Sequence, residues 1–323
     1  MKRLEYVDLA KGVMILLVVI GHLNDYHVSG SVHDKLFAFI YSFHMCLFFL
    51  LSGFVMALTK HKLQEQSYIK WLWKKVQTLF VPFLAWTFVM WRFVDPISDF
   101  AFDSSTIKFI FLRPDTGTWF FLSLFVCQVV CYPIFRFKPI WSWLFPIGFL
   151  LFGHFFLSRI FDASVAFAYY DIYHFSSFMA GYLFYEYRDK LLRAELATIS
   201  LIAFVVVEII HPNPILATLP FGIALLYICQ QYAQRVEVGG AKPWLYSQLK
   251  LIGCNTMAIY PIQAYFVYAF SKPVLIINDL PNTLVFAILL VFSYFISIAC
   301  IYIARVISYF PIIDRLLLGK IKK

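Results

Sequence analysis

The sequence predicts an all-α membrane protein, a polytopic bundle of about ten transmembrane helices with both termini in the cytoplasm. Composition is the first reason. Of 323 residues, 62% are hydrophobic and only 14% charged, with a mean hydropathy of +0.77, whereas a soluble domain commits about a quarter of its residues to charge. Span length is the second reason: apolar stretches near residues 8–26, 36–58, 76–94, 118–135, 141–158, 165–185, 196–210, 215–233, 251–271 and 283–304 are each about long enough to cross a hydrocarbon core of about 30 Å. Charge placement is the third. With the N-terminus inside, 21 of the 27 Lys and Arg residues fall on cytoplasmic segments and six on outer ones, which is the positive-inside asymmetry. The net charge of +9 therefore reports topology, and no nucleic-acid partner is expected.

No polar stretch is long enough to fold as a soluble domain, so residues 1–323 read as a single membrane domain without a soluble extracytoplasmic part. The chain runs from Lys2 and Arg3 straight into its first span with no small-residue cleavage site, which fits a retained helix and not a signal peptide. All six cysteines lie in or beside apolar spans and read as buried thiols, without a metal or disulfide pattern.

The first span, from Tyr6 to His22, carries three groups that do not belong in lipid. Asp8, Lys11 and His22 return to one side of a helix, because the stretch from Lys11 to His22 makes about three turns and rises about 16 Å. Ile15 and Val18 fill the stripe between them. A lysine near the start of a span can snorkel to the interface, but a histidine well inside one is costly unless it faces a cavity or a partner. His22 is therefore the leading candidate for a functional site, and Asp25, three residues on, is the candidate carboxylate to orient it or stabilise its charge.

An outer loop is expected from Asn24 to Lys35, whose Asp25, His27, His33 and Asp34 lack the fixed spacing of a zinc site. His44 in the second span is another costly histidine, open to two readings: a shared polar cavity with His22, or a hydrogen bond to a neighbouring carbonyl. Ser52 and Gly53 offer a small surface for the close approach of another helix. The cytoplasmic segment Thr59 to Lys75, with Trp71, Trp73, Lys70, Lys74 and Lys75, suits interfacial anchoring, and the same lysines suit an anionic ligand. Pro82 is positioned to kink the third span.

The outer segment Arg92 to Thr118, with Asp95, Asp99, Asp103, Arg113 and Asp115, is long enough to cover a site or simply to connect spans. Tyr169, Tyr170, Asp171, Tyr173 and His174 read first as an interfacial belt and second as a wet, outward-opening groove. Gln234 to Lys250, around Gly239 and Gly240, reads as a flexible inner connection. In the ninth span Asn255, Tyr260 and Gln263 are available as buried hydrogen-bonding groups, which can hold helices together and need not touch a substrate. The basic, amphipathic tail from Arg305 to Lys323 is expected to rest on the inner surface.

Four blocks of the chain, distributed over nearly its whole length, resemble the acyltransferase 3 family of bacterial integral membrane O-acyltransferases, in the short form related to fucose 4-O-acetylase-like and exopolysaccharide O-acetylating members. They run from Asp8 through Lys11 and Gly12 to Gly21 and His22; from Phe43 and His44 to Phe54; from Lys74 and Lys75 to Val81, Pro82 and Phe83; and from Gly253 through Asn255 to Tyr260. Lys11 and His22 match the family signature of a basic residue, ten residues and a histidine.

The resemblance implies transfer of an acyl group, usually acetyl, from an acyl-coenzyme A on the cytoplasmic side to a sugar hydroxyl of a lipid-linked or envelope glycan, in the bacterial cytoplasmic (inner) membrane. On that reading His22 is the base and Asp25 its orienting group. Lys11, with Lys74 or Lys75, pairs the donor phosphates, while His44 and Ser52 line the passage. No bound cofactor is implied, acetyl-CoA or another acyl-CoA being a substrate. Gln263 departs from the histidine that many members carry there, so no catalytic role is assigned to it. A polysaccharide or small-molecule exporter is the alternative for a multi-span chain with intramembrane histidines, but the internal repeat that transporters often show is not visible here.

Overall fold

The computed structural model describes residues 4–93, 118–137, 143–155, 159, 171–210, 212–268 and 280–320. The expected segment with Asp95, Asp99, Asp103, Arg113 and Asp115, and the tyrosines Tyr169 and Tyr170, lie outside these residues. Regular structure among the described residues is helical throughout. In chain order the helices are α1 (Glu5–His27), α2 (Gly30–Tyr41), α3 (His44–Leu58), α4 (Lys60–Glu65), α5 (Tyr68–Lys75) and α6 (Val81–Phe93), with a π-helical turn, Val76–Phe80, joining the last two. Then come α7 (Trp119–Arg136), α8 (Leu144–Phe155), α9 (Ile172–Glu186), α10 (Arg188–Leu191) and α11 (Ala194–Ile210). The chain continues with α12 (Pro214–Gly239), α13 (Trp244–Cys254), α14 (Thr256–Tyr268), α15 (Asn282–Ile307) and α16 (Pro311–Leu318).

Five stretches among the described residues are long and apolar enough to cross a membrane: Glu5–His27, Gly30–Leu58, Trp119–Arg136, Leu216–Gly239 and Asn282–Ile307. The chain divides into two compact units, Met1–Leu51 with Glu186–Ala304, and Ser52–Tyr185 with Arg305–Lys323.

In the first unit α1 is enclosed by its neighbours. It packs against α2, α12, α13 and α14, and Leu9, Ala10, Met14, Val19 and Ile20 are completely buried. An apolar residue on every side of a helix demands such a position. The contact with α13 is backbone to backbone. A side chain on Gly12 would overlap the carbonyl of Leu249, and one on Gly253 would overlap the carbonyl of Asp8 and lie 2.8 Å from the nitrogen of Gly12. The first turn of α1 is tied to the same helix, since the Glu5 carboxylate accepts from the Tyr246 hydroxyl and the Lys250 ammonium.

Two expected connections and one expected span prove shorter or differently made. α1 continues to His27 and α2 already begins at Gly30, so the loop expected from Asn24 to Lys35 shrinks to Val28 and Ser29. Gly30, at φ 74°, makes the reversal in a region that side-chain-bearing residues avoid. The flexible connection expected from Gln234 to Lys250 is mostly helix, because α12 runs on to Gly239 and α13 starts at Trp244. The ninth span is broken at Asn255, where φ −114° and ψ 15° leave the helix and the side-chain amide donates to the Leu251 carbonyl at 2.7 Å. A short amide side chain competes with the helical ladder in this way.

In the second unit the small surface of Ser52 and Gly53 is used as expected. A side chain on Gly53 would overlap the Phe178 carbonyl of α9. On α5, Trp71 is buried against Tyr132 at 4.6 Å, while Trp73 is 61% exposed and points away from the protein. Pro82 lacks a backbone N–H, and the distortion expected at it is the π turn just before, where the Val81 N–H reaches back to the Val76 carbonyl. The tail is fastened to this region: Trp86 Nε1 donates to the Leu317 carbonyl at 2.7 Å, and Gly319, at φ 60°, lies against the backbone of Thr78.

The Gly12 and Gly253 crossing yields a stability prediction. Gly253→Ala should lower the thermal stability of the detergent-solubilised protein by about 1–3 kcal/mol or more, because backbone on the facing helix has no rotamer with which to yield. Ala287→Gly, at an exposed position inside α15, should cost about 1 kcal/mol through helix propensity alone. Melting curves in which the first change is no worse than the second would refute the close backbone contact.

Candidate functional site

His22 lies in the last third of α1, half-buried, and its Nδ1 is 2.7 Å from the amide nitrogen of Gln263 on α14. Gln263 is 1% exposed, so this hydrogen bond is made inside the protein. The two helices run in parallel, as three successive meetings show. Gly253 meets Asp8, Gln263 meets His22, and the Val267 carbonyl lies 3.2 Å from His27 Nε2. With Nδ1 engaged, Nε2 is the ring nitrogen of His22 left to face a reactant. A neutral imidazole presents one donor and one acceptor nitrogen, so what Gln263 offers to Nδ1 decides which role Nε2 takes.

Asp25 does not supply that hydrogen bond. It sits at the exposed end of α1 and faces His33, whose Nε2 is 3.5 Å away, while His33 Nδ1 is 3.0 Å from Asp34. The orienting contact predicted for Asp25 is therefore made by Gln263. The reason is geometric: α2 starts earlier than expected and carries His33 back onto the carboxylate. Sequence reading named Gln263 as a buried hydrogen-bonding group between helices, which it is, but not as the partner of His22. The available signal was a lone amide in an apolar stretch of the ninth span.

Toward the opposite end of α1, Lys11 Nζ is 3.6 Å from the Asp8 carboxylate, with Asp8 buried and Lys11 about a quarter exposed. The two charges thus reach the neighbourhood of the Gly253 crossing as a pair. His44 begins α3, where its Nδ1 is 2.8 Å from the Ile40 carbonyl and its ring meets Tyr41 edge-on at 4.6 Å. Of its two expected readings, this hydrogen bond realises the second, at a carbonyl near the end of α2 that also accepts from the Phe43 backbone N–H.

Lys74, Lys75 and Ser52 belong to the second unit. Lys74 is exposed, whereas the Lys75 ammonium packs 5.9 Å from the centre of the Trp71 ring. Burial, and secondarily the charge of Lys74, pull the Lys75 ammonium down to about 8. Its charge is consequently present below that pH and lost above it. The same unit holds a carboxylate–imidazole pair: His174 Nδ1 is 3.2 Å from Asp171, which also accepts the His174 N–H at 2.8 Å, and the imidazole stacks on Trp119 at 5.1 Å. Asp171 thereby opens α9 in the manner of an N-cap.

Comparison with known proteins bears on what these groups do. The family model described as an acyltransferase domain matches residues 4–302. Nodulation protein NolL of Mesorhizobium japonicum is 28% identical over 143 residues, which cover 42% of this chain and 37% of that protein. The match thus spans little more than a third of that curated relative. No solved structure matches.

Proposed function

The chain belongs to the acyltransferase family whose model covers it from residue 4 to residue 302, and on that premise we propose that it is a membrane-bound O-acyltransferase moving an acetyl or other small acyl group from acyl-CoA to a sugar hydroxyl of a cell-envelope or exported glycan. The observation that carries this reading is the His22 imidazole, inside an apolar helix, with one nitrogen tied to Gln263 and the other left for chemistry. The proposed setting is a bacterial inner membrane crossed ten times, with both termini cytoplasmic. It is supported by the lysine and arginine asymmetry and by a described helix in each of the ten apolar stretches.

In the proposed reaction His22 Nε2 removes the proton from the acceptor hydroxyl as its oxygen attacks the thioester carbonyl carbon. The carbon–sulfur bond breaks, and His22 returns the proton to the departing thiolate, leaving ester, free coenzyme A and a neutral imidazole. A sugar hydroxyl is far too weak an acid to ionise near neutrality unaided, and a histidine titrates in the range where such a base works. Lys11, at the cytoplasmic end of α1 in this topology, and Lys74 and Lys75 supply positive charge for the donor phosphates. His44 and Ser52 are assigned to the walls of the passage.

Two measurements test the proposal. In inverted membrane vesicles matched for protein abundance, labelled acetyl groups from acetyl-CoA should enter envelope glycan with the wild type, and His22→Ala should reduce the rate by about 10²–10⁴-fold; equal labelling by both forms would remove His22 from the mechanism. Because the Lys75 charge is lost as pH rises through about 8, KM for acetyl-CoA should climb above that pH. Lys75→Arg, charged throughout, should hold KM level, and a climb persisting in that variant would assign it to another group.

A further inference from the structure

We propose that Gln263 is the positioning residue that sets the tautomer of His22: in the reacting state its amide oxygen accepts from Nδ1–H, so that the Nε2 lone pair takes the proton of the acceptor hydroxyl. The inference rests on the acyl-transfer reading above and assigns a role to a residue that acts through His22.

The geometry points to this role. The amide nitrogen of Gln263 lies 2.7 Å from His22 Nδ1 and 3.2 Å from the Tyr260 carbonyl, while the amide oxygen is buried with no hydrogen-bond partner. In that orientation the amide donates to Nδ1, the ring proton sits on Nε2, and Nε2 cannot accept another. A half-turn of the amide exchanges two ends of nearly equal size. It brings the oxygen to Nδ1 and so stabilises the tautomer in which Nδ1 carries the ring proton and Nε2 is open. The exchange gives up the longer contact and turns the amide oxygen toward the Tyr260 carbonyl oxygen, an opposition of two acceptors that the bond from Nδ1–H has to outweigh.

Proton transfer itself favours the exchanged orientation. Once Nε2 takes a proton the ring is a cation with an N–H on both sides, and the oxygen then receives a charge-assisted hydrogen bond where the amide nitrogen would oppose it. Since Gln263 is 1% exposed, water has little access with which to take over either task. The amide thus holds His22 as a neutral donor in one orientation and as a competent base in the other.

The test separates accepting from packing. Gln263→Glu retains only acceptors at the end of the side chain, and Gln263→Met keeps similar length with neither strong donor nor strong acceptor. Transfer of labelled acetyl from acetyl-CoA to the endogenous glycan of inverted vesicles is followed against pH, with the variants matched for abundance. Gln263→Met should slow transfer at saturating acetyl-CoA about tenfold to a hundredfold, with KM for acetyl-CoA unchanged within about twofold. Gln263→Glu should transfer faster than Gln263→Met and should move the acidic limb of its profile to higher pH, because a carboxylate beside Nδ1–H stabilises the protonated ring.

A glutamate variant no faster than the methionine variant, or one whose acidic limb stays where the wild type has it, would overturn the role while leaving the acyl-transfer reading intact. Wild-type vesicles that transfer no label, with the protein present in the membrane, would overturn both.

Discussion

An imidazole on an apolar helix has to be enclosed by protein, and the enclosure of α1 is the constraint on which the first unit depends. The hydrocarbon of a bilayer offers a polar group nothing to bond, so Asp8, Lys11 and His22 are supportable only if neighbouring helices provide partners. Four helices pack on α1, and the tightest approach is made where two glycines expose bare backbone on both sides. Apolar helices have no hydrophobic incentive to associate in lipid; close van der Waals contact and buried hydrogen bonds must supply it. The Gly12 and Gly253 crossing provides the first, and the bonds from Tyr246 and Lys250 to Glu5 and from Gln263 to His22 provide the second.

Much of this was legible in the residues. The first span announced itself by carrying three polar groups on one stripe, and Ser52 with Gly53 announced a close helix contact that α9 makes. Periodicity and composition act within one element, which is why they identified α1 as the carrier of the candidate site before any neighbour was known. Partner choice was harder to read. Asp25 was the nearest carboxylate along the chain, yet His33 occupies it, because the extent of α2 is set by Gly30 and by packing that no local pattern records. Gln263 is remote in sequence from His22, and only the parallel packing of α14 on α1 brings the two together.

The histidines also show how one residue type is put to different uses by backbone context. His44 follows a helix end and spends Nδ1 on the Ile40 carbonyl; His27 reaches the Val267 carbonyl through Nε2; His174 stands one turn after the carboxylate that opens its helix. In each of these the bond at least partly serves a backbone group or a helix terminus. His22 differs in being held through a side-chain amide, a partner that can present either a donor or an acceptor without disturbing the backbone. This distinction, and not burial alone, sets it apart as the candidate for proton transfer.

The interruption at Asn255 works as a ruler. Between the Gly253 and Gln263 contacts the α13–α14 segment spends fewer residues than α1 spends between Asp8 and His22, so the non-helical residue and the inclination of the helices have to make up the distance. Adding or removing one residue between the glycine and the glutamine would leave the crossing in place and rotate everything beyond it by about 100°, carrying the amide off the imidazole. The spacing of this short segment is therefore under two simultaneous restraints, one steric and one chemical, and point substitutions within it are far easier to accommodate than changes in its length.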